Sequence, residues 1–136
     1  MVQFEQTTDK IRILVEPVFL EEQSEPQKNR FVWAYHVRIE NHGAETLQLV
    51  SRYWRITDSL GRTQEVSGPG VVGEQPVLSP GESFEYTSGT PLGTNSGFME
   101  GRYNMVRLDG PDAGGALEVA VPAFSLDSPG LQGRLN

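Results

Sequence analysis

From Phe31 to Glu40 the chain alternates without a break. Phe31, Trp33, Tyr35, Val37 and Ile39 fall on one side, and Val32, Ala34, His36, Arg38 and Glu40 on the other. A period of two lines each set up along one face of an extended strand. The second set turns charged toward its end, so the run predicts a half-buried strand of an antiparallel sheet. The rest of the chain obeys the same rule. No window sustains an i, i+3, i+4 apolar pattern with caps. The 15 Gly and 9 Pro of the 136 residues are spread evenly, and both residues are unfavourable inside helices.

Further strands follow from the same period. Ile11, Ile13 and Val15 alternate with Arg12, Leu14 and Glu16. Residues 47–57 form a long strand whose phase slips, because Leu47 and Leu49 share one register while Trp54 and Ile56 belong to the other. A β-bulge near 50–52 would restore the phase. Asn41-His42-Gly43 and Asp58-Ser59-Leu60-Gly61 read as hairpin turns, and Ser79-Pro80-Gly81-Glu82 as a tight turn. Residues 62–66, Phe84 with Tyr86, 98–108 and 117–126 supply the remaining strands. Seven to nine strands at even spacing predict an all-β sandwich of immunoglobulin or fibronectin type III-like form, with a small barrel as the structural alternative. Tyr103, within Gly101-Arg102-Tyr103, stands where such sandwiches carry a corner tyrosine. The expected organisation is one domain over 1–126 and a loose tail over 127–136.

Charge and composition narrow the function. The chain has 11 Lys+Arg against 18 Asp+Glu, a net charge of −7, which argues against a nucleic-acid partner. There is no cysteine, which removes disulfides, thiolate zinc sites and a thiol nucleophile together. No stretch reaches the roughly 18–20 apolar residues of a membrane helix, and Met1-Val2-Gln3-Phe4-Glu5 lacks the build of a signal peptide. The expectation is a cytoplasmic protein with no membrane partner. The 2 histidines, His36 and His42, form no metal-ligating pair at close spacing, and no nucleophile elbow occurs. No catalytic residue, no metal and no cofactor is expected, and the chain is read as not an enzyme.

Two segments stand out as candidate contact sites. Gly68-Pro69-Gly70-Val71-Val72-Gly73 matches G-x-G-x-x-G, but Glu74-Gln75-Pro76 follows in place of the helix that a dinucleotide site requires. The cluster is read as a shaped loop for a chain crossing or a partner, with phosphate bound on its backbone amides as the alternative. In Arg52-Tyr53-Trp54-Arg55-Ile56, Arg52 shares a face with Trp54 and Ile56. An arginine on a core face needs a carboxylate or carbonyl partners. The candidate ligand or partner contacts are Arg52, Trp54, Gly68, Gly70, Gly73, Glu74 and Gln75.

These segments carry a resemblance. Ser51-Arg52-Tyr53-Trp54-Arg55-Ile56-Thr57-Asp58 is followed by Gly-Val-Val-Gly-Glu-Gln-Pro at 70–76, Pro80-Gly81-Glu82, Tyr86-Thr87-Ser88-Gly89 and Gly97-Phe98-Met99-Glu100-Gly101-Arg102-Tyr103. In order and spacing they resemble the ApaG family, also called CorD, over about residues 5–126. Tyr53 departs from the family, where many members have His after the arginine. The resemblance implies a fibronectin type III-like sandwich and an association with cobalt tolerance and magnesium efflux. Its bacterial genes commonly lie beside those for diadenosine tetraphosphatase and an rRNA dimethyladenosine methyltransferase. Eukaryotic relatives in F-box proteins and a polymerase-delta interacting protein imply a protein-interaction module. The partner expected is thus an unidentified protein, with a phosphate-containing small molecule as the alternative, and exposed sheet edges leave room for a homodimer.

Overall fold

The computed structural model describes residues 2–128. They form strands β1 (Phe4–Thr8), β2 (Ile11–Phe19), β3 (Phe31–Asn41), β4 (Leu47–Asp58), β5 (Thr63–Pro69), β6 (Val77–Leu78), β7 (Ser83–Leu92), β8 (Ser96–Arg107) and β9 (Ala116–Asp127). Two 3-10 turns, Glu21–Gln23 and Pro26–Lys28, bridge β2 and β3. No helix among the described residues is long and apolar enough to cross a membrane.

The strands make two antiparallel sheets, one in the order β1-β2-β3-β7 and one in the order β5-β4-β8-β9, with β6 added on β4. The period of two sets the inward faces. Ile11, Ile13 and Val15 of β2 and Trp33, Val37 and Ile39 of β3 are buried against Trp54, Met99, Tyr103, Val119 and Phe124 of the facing sheet. This is a sandwich of the fibronectin type III-like class. The bulge expected in β4 lies between Leu49 and Ser51. It lets Leu47 and Leu49 face the same core as Trp54 and Ile56.

Four expectations change. Asn41-His42-Gly43 is not a hairpin turn, because β3 and β4 belong to different sheets and the segment crosses between them. Asn41 is 1% exposed, and its amide organises the crossing: Nδ2 donates to the carbonyls of Glu45 (2.8 Å) and Leu78 (2.9 Å), and Oδ1 accepts from Gly43 N (2.9 Å). Tyr103 is wholly buried, but its hydroxyl bonds the Tyr86 hydroxyl across the sandwich rather than a backbone group at a corner. The strand expected over 62–66 runs on to Pro69, which places Gly68 on a strand and not in the loop. β9 extends through Asp127, and Ser128 N donates to Asn95 O. The remainder of the expected tail, 129–136, lies outside the described residues.

Candidate functional site

The glycine segment is built around the bulge. A bulge leaves one residue out of the ladder, and the carbonyl of Val50 there accepts two donors, Gly70 N at 2.8 Å and Gln75 Nε2 at 2.9 Å. Between those two anchors, Val71 and Glu74 exchange backbone hydrogen bonds in both directions, each 2.8 Å. Val72 (φ 43°) and Gly73 (φ 81°) are both left-handed, the signature of a two-residue type I′ turn. Val71 is fully buried and pins this small hairpin to the core. Gly70 is required, since its φ is +61° and an added Cβ would sit 2.3 Å from Glu74 O.

Arg52 faces inward beside this hairpin. Its Nη1 donates to Pro69 O (3.0 Å) and Gly70 O (2.9 Å), so the partners that the sequence demanded are carbonyls. Gly68 leaves room for the guanidinium, whose Nη1 lies 3.3 Å from where a Cβ would stand. The arginine opens onto a cleft of about 390 Å³ between the sheets, lined by Tyr35 of β3, Tyr86 and Ser88 of β7, Trp54 of β4, Pro69 and residues 71–73. Trp54 forms its floor, 3% exposed, with its ring edge-on to those of Tyr35 (5.4 Å) and Tyr103 (6.2 Å). Burial pushes the hydroxyl pKa values of Tyr35, Tyr86 and Tyr103 upward, and the nearby Arg52 charge pulls each of them partly back. All three stay protonated at neutral pH, as hydrogen-bond donors.

Arg52, Trp54, Gly68, Gly70 and Gly73 are therefore brought together. Glu74 caps the turn with its backbone and leaves its side chain exposed. Gln75 spends its amide on the bulge. The amides of Gly70, Val71 and Glu74 donate within the fold, which leaves those of Val72 and Gly73 at the tip of a tight turn rather than an open ring of donors. Tyr35, Tyr86 and Ser88 were not among the sequence candidates. Their signal was present in the alternation, as hydroxyl-bearing residues on otherwise apolar inward faces. The histidines lie elsewhere, on the outer face of the β1-β2-β3-β7 sheet. His36 contacts Thr87 Oγ1 and Glu85 Oε1, both at 2.8 Å, and His42 contacts Glu40 Oε1 at 2.9 Å. Among the described residues, no three His, Cys, Asp or Glu side chains are grouped to hold a metal ion.

Comparison with known proteins places this architecture. The ApaG domain family matches residues 21–107, which include β3 to β8 and the whole cleft. Protein ApaG of Rhodospirillum centenum is 61% identical over 133 residues, 98% of this chain and 99% of the relative. Protein ApaG of Parvibaculum lavamentivorans is 62% identical over 122 residues, 90% of this chain and 91% of the relative. A crystal structure from Bordetella pertussis, described as an ApaA protein, superposes with a TM-score of 0.82 at 47% identity, covering 88% of this chain and 94% of that one. The C-terminal domain of wzt shares the fold alone, with a TM-score of 0.53 at 11% identity over 93% of this chain and 77% of that one. The loop, the bulge and the inward arginine thus sit within a shared pattern that spans almost the whole sequence, and the chain belongs to the ApaG family.

Proposed function

We propose that this chain is a non-catalytic protein-interaction domain of the cytoplasm whose contact surface is the cleft at Arg52 and the loop 68–76. The observation that carries the reading is the open side of the sandwich. There, among the described residues, β5 and β7 each end a sheet without a further strand, and the cleft lies between the sheets on that side. An unpaired strand edge presents backbone donors and acceptors that a partner can pair with. Val72 at the loop tip is a large apolar side chain 53% exposed, which suits a contact residue. Any share in cobalt tolerance or magnesium efflux then runs through the partner rather than through an ion held by this chain. Affinity capture from native lysate tests the reading with wild type, Val72→Asp and, as a control on the outer face, Glu5→Gln. Proteins retained by wild type and Glu5→Gln should be lost with Val72→Asp; identical sets for all three would sink the proposed surface.

A second reading, a phosphate or pyrophosphate binder, is favoured by one observation, the guanidinium of Arg52 in a cleft that no carboxylate of the described residues lines. With the amides of Gly70, Val71 and Glu74 already bonded within the fold, the phosphate would rest on the arginine and the tyrosine hydroxyls. Calorimetric titration with pyrophosphate and diadenosine tetraphosphate checks it, and no heat at millimolar ligand ends it.

A further inference from the structure

Some donors in the cleft, on Arg52 and Tyr86, have no acceptor among the described residues, and this says what the partner brings. The Tyr86 and Tyr103 hydroxyls bond each other, and such a pair uses only one of its two protons. Were Tyr86 the donor, the second proton would belong to Tyr103, which is 0% exposed and has no other acceptor among the described residues. An orphaned buried donor is costly. Tyr103 therefore donates, and the proton of Tyr86 is the one offered to the cleft. Arg52 Nη1 is held by Pro69 O and Gly70 O, which fixes the guanidinium plane. Its Nε and Nη2 have no partner among the described residues, and together they form the fork that takes a carboxylate by two parallel hydrogen bonds. The Ser88 hydroxyl stands on the same wall.

We propose that the occupant of the cleft is an Asp or Glu side chain of a partner protein's extended segment, added as a further strand on the free edge of β7. This deepens the reading of the open side as a contact surface and rests on it. Charge decides for a carboxylate. Among the described residues Arg52 is the one cation lining the cleft, since Arg55 alternates to the outer face of β4 and Arg102 lies over the outer Tyr53 ring at 4.1 Å. A single negative charge is matched one to one, whereas a pyrophosphate would leave excess charge among buried aromatic rings. Register decides for β7. Tyr86 and Ser88 point inward from it, and a strand laid beside it would direct every second side chain over the same cleft. β5 is the poorer edge, with Pro69 beside the arginine lacking an N–H.

Selection of a displayed random dodecapeptide library on wild type and on Arg52→Gln tests the proposal. Wild type should enrich β-prone peptides with a central Asp or Glu, and Arg52→Gln should not. A synthetic copy of an enriched peptide should shift the backbone amides of 83–92 and the Arg52 Nε resonance. Its Asn or Gln counterpart should bind at least tenfold more weakly. Tyr86→Phe, which keeps the ring and the packing, should weaken the acidic peptide several-fold and leave its amide counterpart unchanged. Enrichment of peptides without an acidic residue, equal enrichment on both proteins, or no enrichment each overturns the proposal. So does a shift of the cleft resonances by inorganic pyrophosphate where no peptide is enriched. If lysate capture still depends on Val72 in such a case, the contact surface stands and only the carboxylate specificity falls.

Discussion

Along one side of the sandwich β9 packs on β1 and β2, and the rings of Phe4 and Phe124 meet at 6.2 Å. Along the other, β5 and β7 do not pair, and the gap between the sheets holds an arginine and two tyrosine hydroxyls, of Tyr35 and Tyr86. Both sides begin from the same alternating strands. The closed side is finished with apolar atoms, which have no geometric requirement beyond filling space and which stabilise the fold by leaving water. The open side is finished with oriented donors, which gain little from one another and most from an acceptor supplied from outside. Stability is thus concentrated on one side, and the contact surface proposed above lies on the other.

Substitutions can break this contrast. Phe124 is 1% exposed and touches Phe4, Tyr35 and Trp54. Phe124→Ala should cost about 3–5 kcal/mol, read as a lower urea midpoint, because it opens the closed side. Gly70→Ala comes next. It forces a side chain onto φ +61° against Glu74 O and should cost about 1–3 kcal/mol while distorting the open side. Arg52→Gln should cost about 1 kcal/mol through the two carbonyls it leaves, yet abolish partner capture. A loss of stability as large as that of Phe124→Ala would mean that Arg52 is structural and would erase the contrast.

The outer face of the β1-β2-β3-β7 sheet adds a pH dependence separate from both sides. Hydrogen bonds from Arg38 and His42 hold the Glu40 carboxyl down at about 2, against an ordinary value of 4.5. A carboxylate depressed on folding stabilises the native state above its unfolded pKa, and that stability is lost as pH falls through the folded value. The urea midpoint should therefore decline as pH drops from about 4.5 toward about 2, and Glu40→Gln should flatten that part of the profile. Peptide capture at neutral pH should be unaffected, since no residue of this network lines the cleft. The smallest expected effect is a gain. Val72 is a β-branched residue at φ 43°, and Val72→Asn should raise stability by about 0.5–1 kcal/mol by suiting the I′ turn.

The fold was largely legible because alternation is local. Trp33 and Ile39 must share a face if the segment is extended at all, and the slip between Leu49 and Trp54 could be repaired only by a bulge. The crossing at Asn41 is not legible in the sequence, because its residues suit a hairpin turn equally well. Only the sheet to which the next strand belongs separates the two, and that is a long-range fact. The site was half legible. An arginine on the face of Trp54 announced a need for carbonyls or a carboxylate. Nothing local said that Pro69 and Gly70 would supply the carbonyls, seventeen and eighteen residues on.

By itself, then, the sequence determined the strand class, the inward faces, the bulge and the need to satisfy Arg52, since all of these follow from side-chain period and the chemistry of single residues. Tertiary structure alone decided that the glycine motif is a type I′ turn tied to Val50, and that Tyr86 and Tyr103 meet across the sandwich. It also decided which side of the sandwich closes and which stays open. The physical reason is that hydrogen-bond partners and sheet edges are set by how two sheets stack, a relation between segments far apart in the chain that no local pattern encodes.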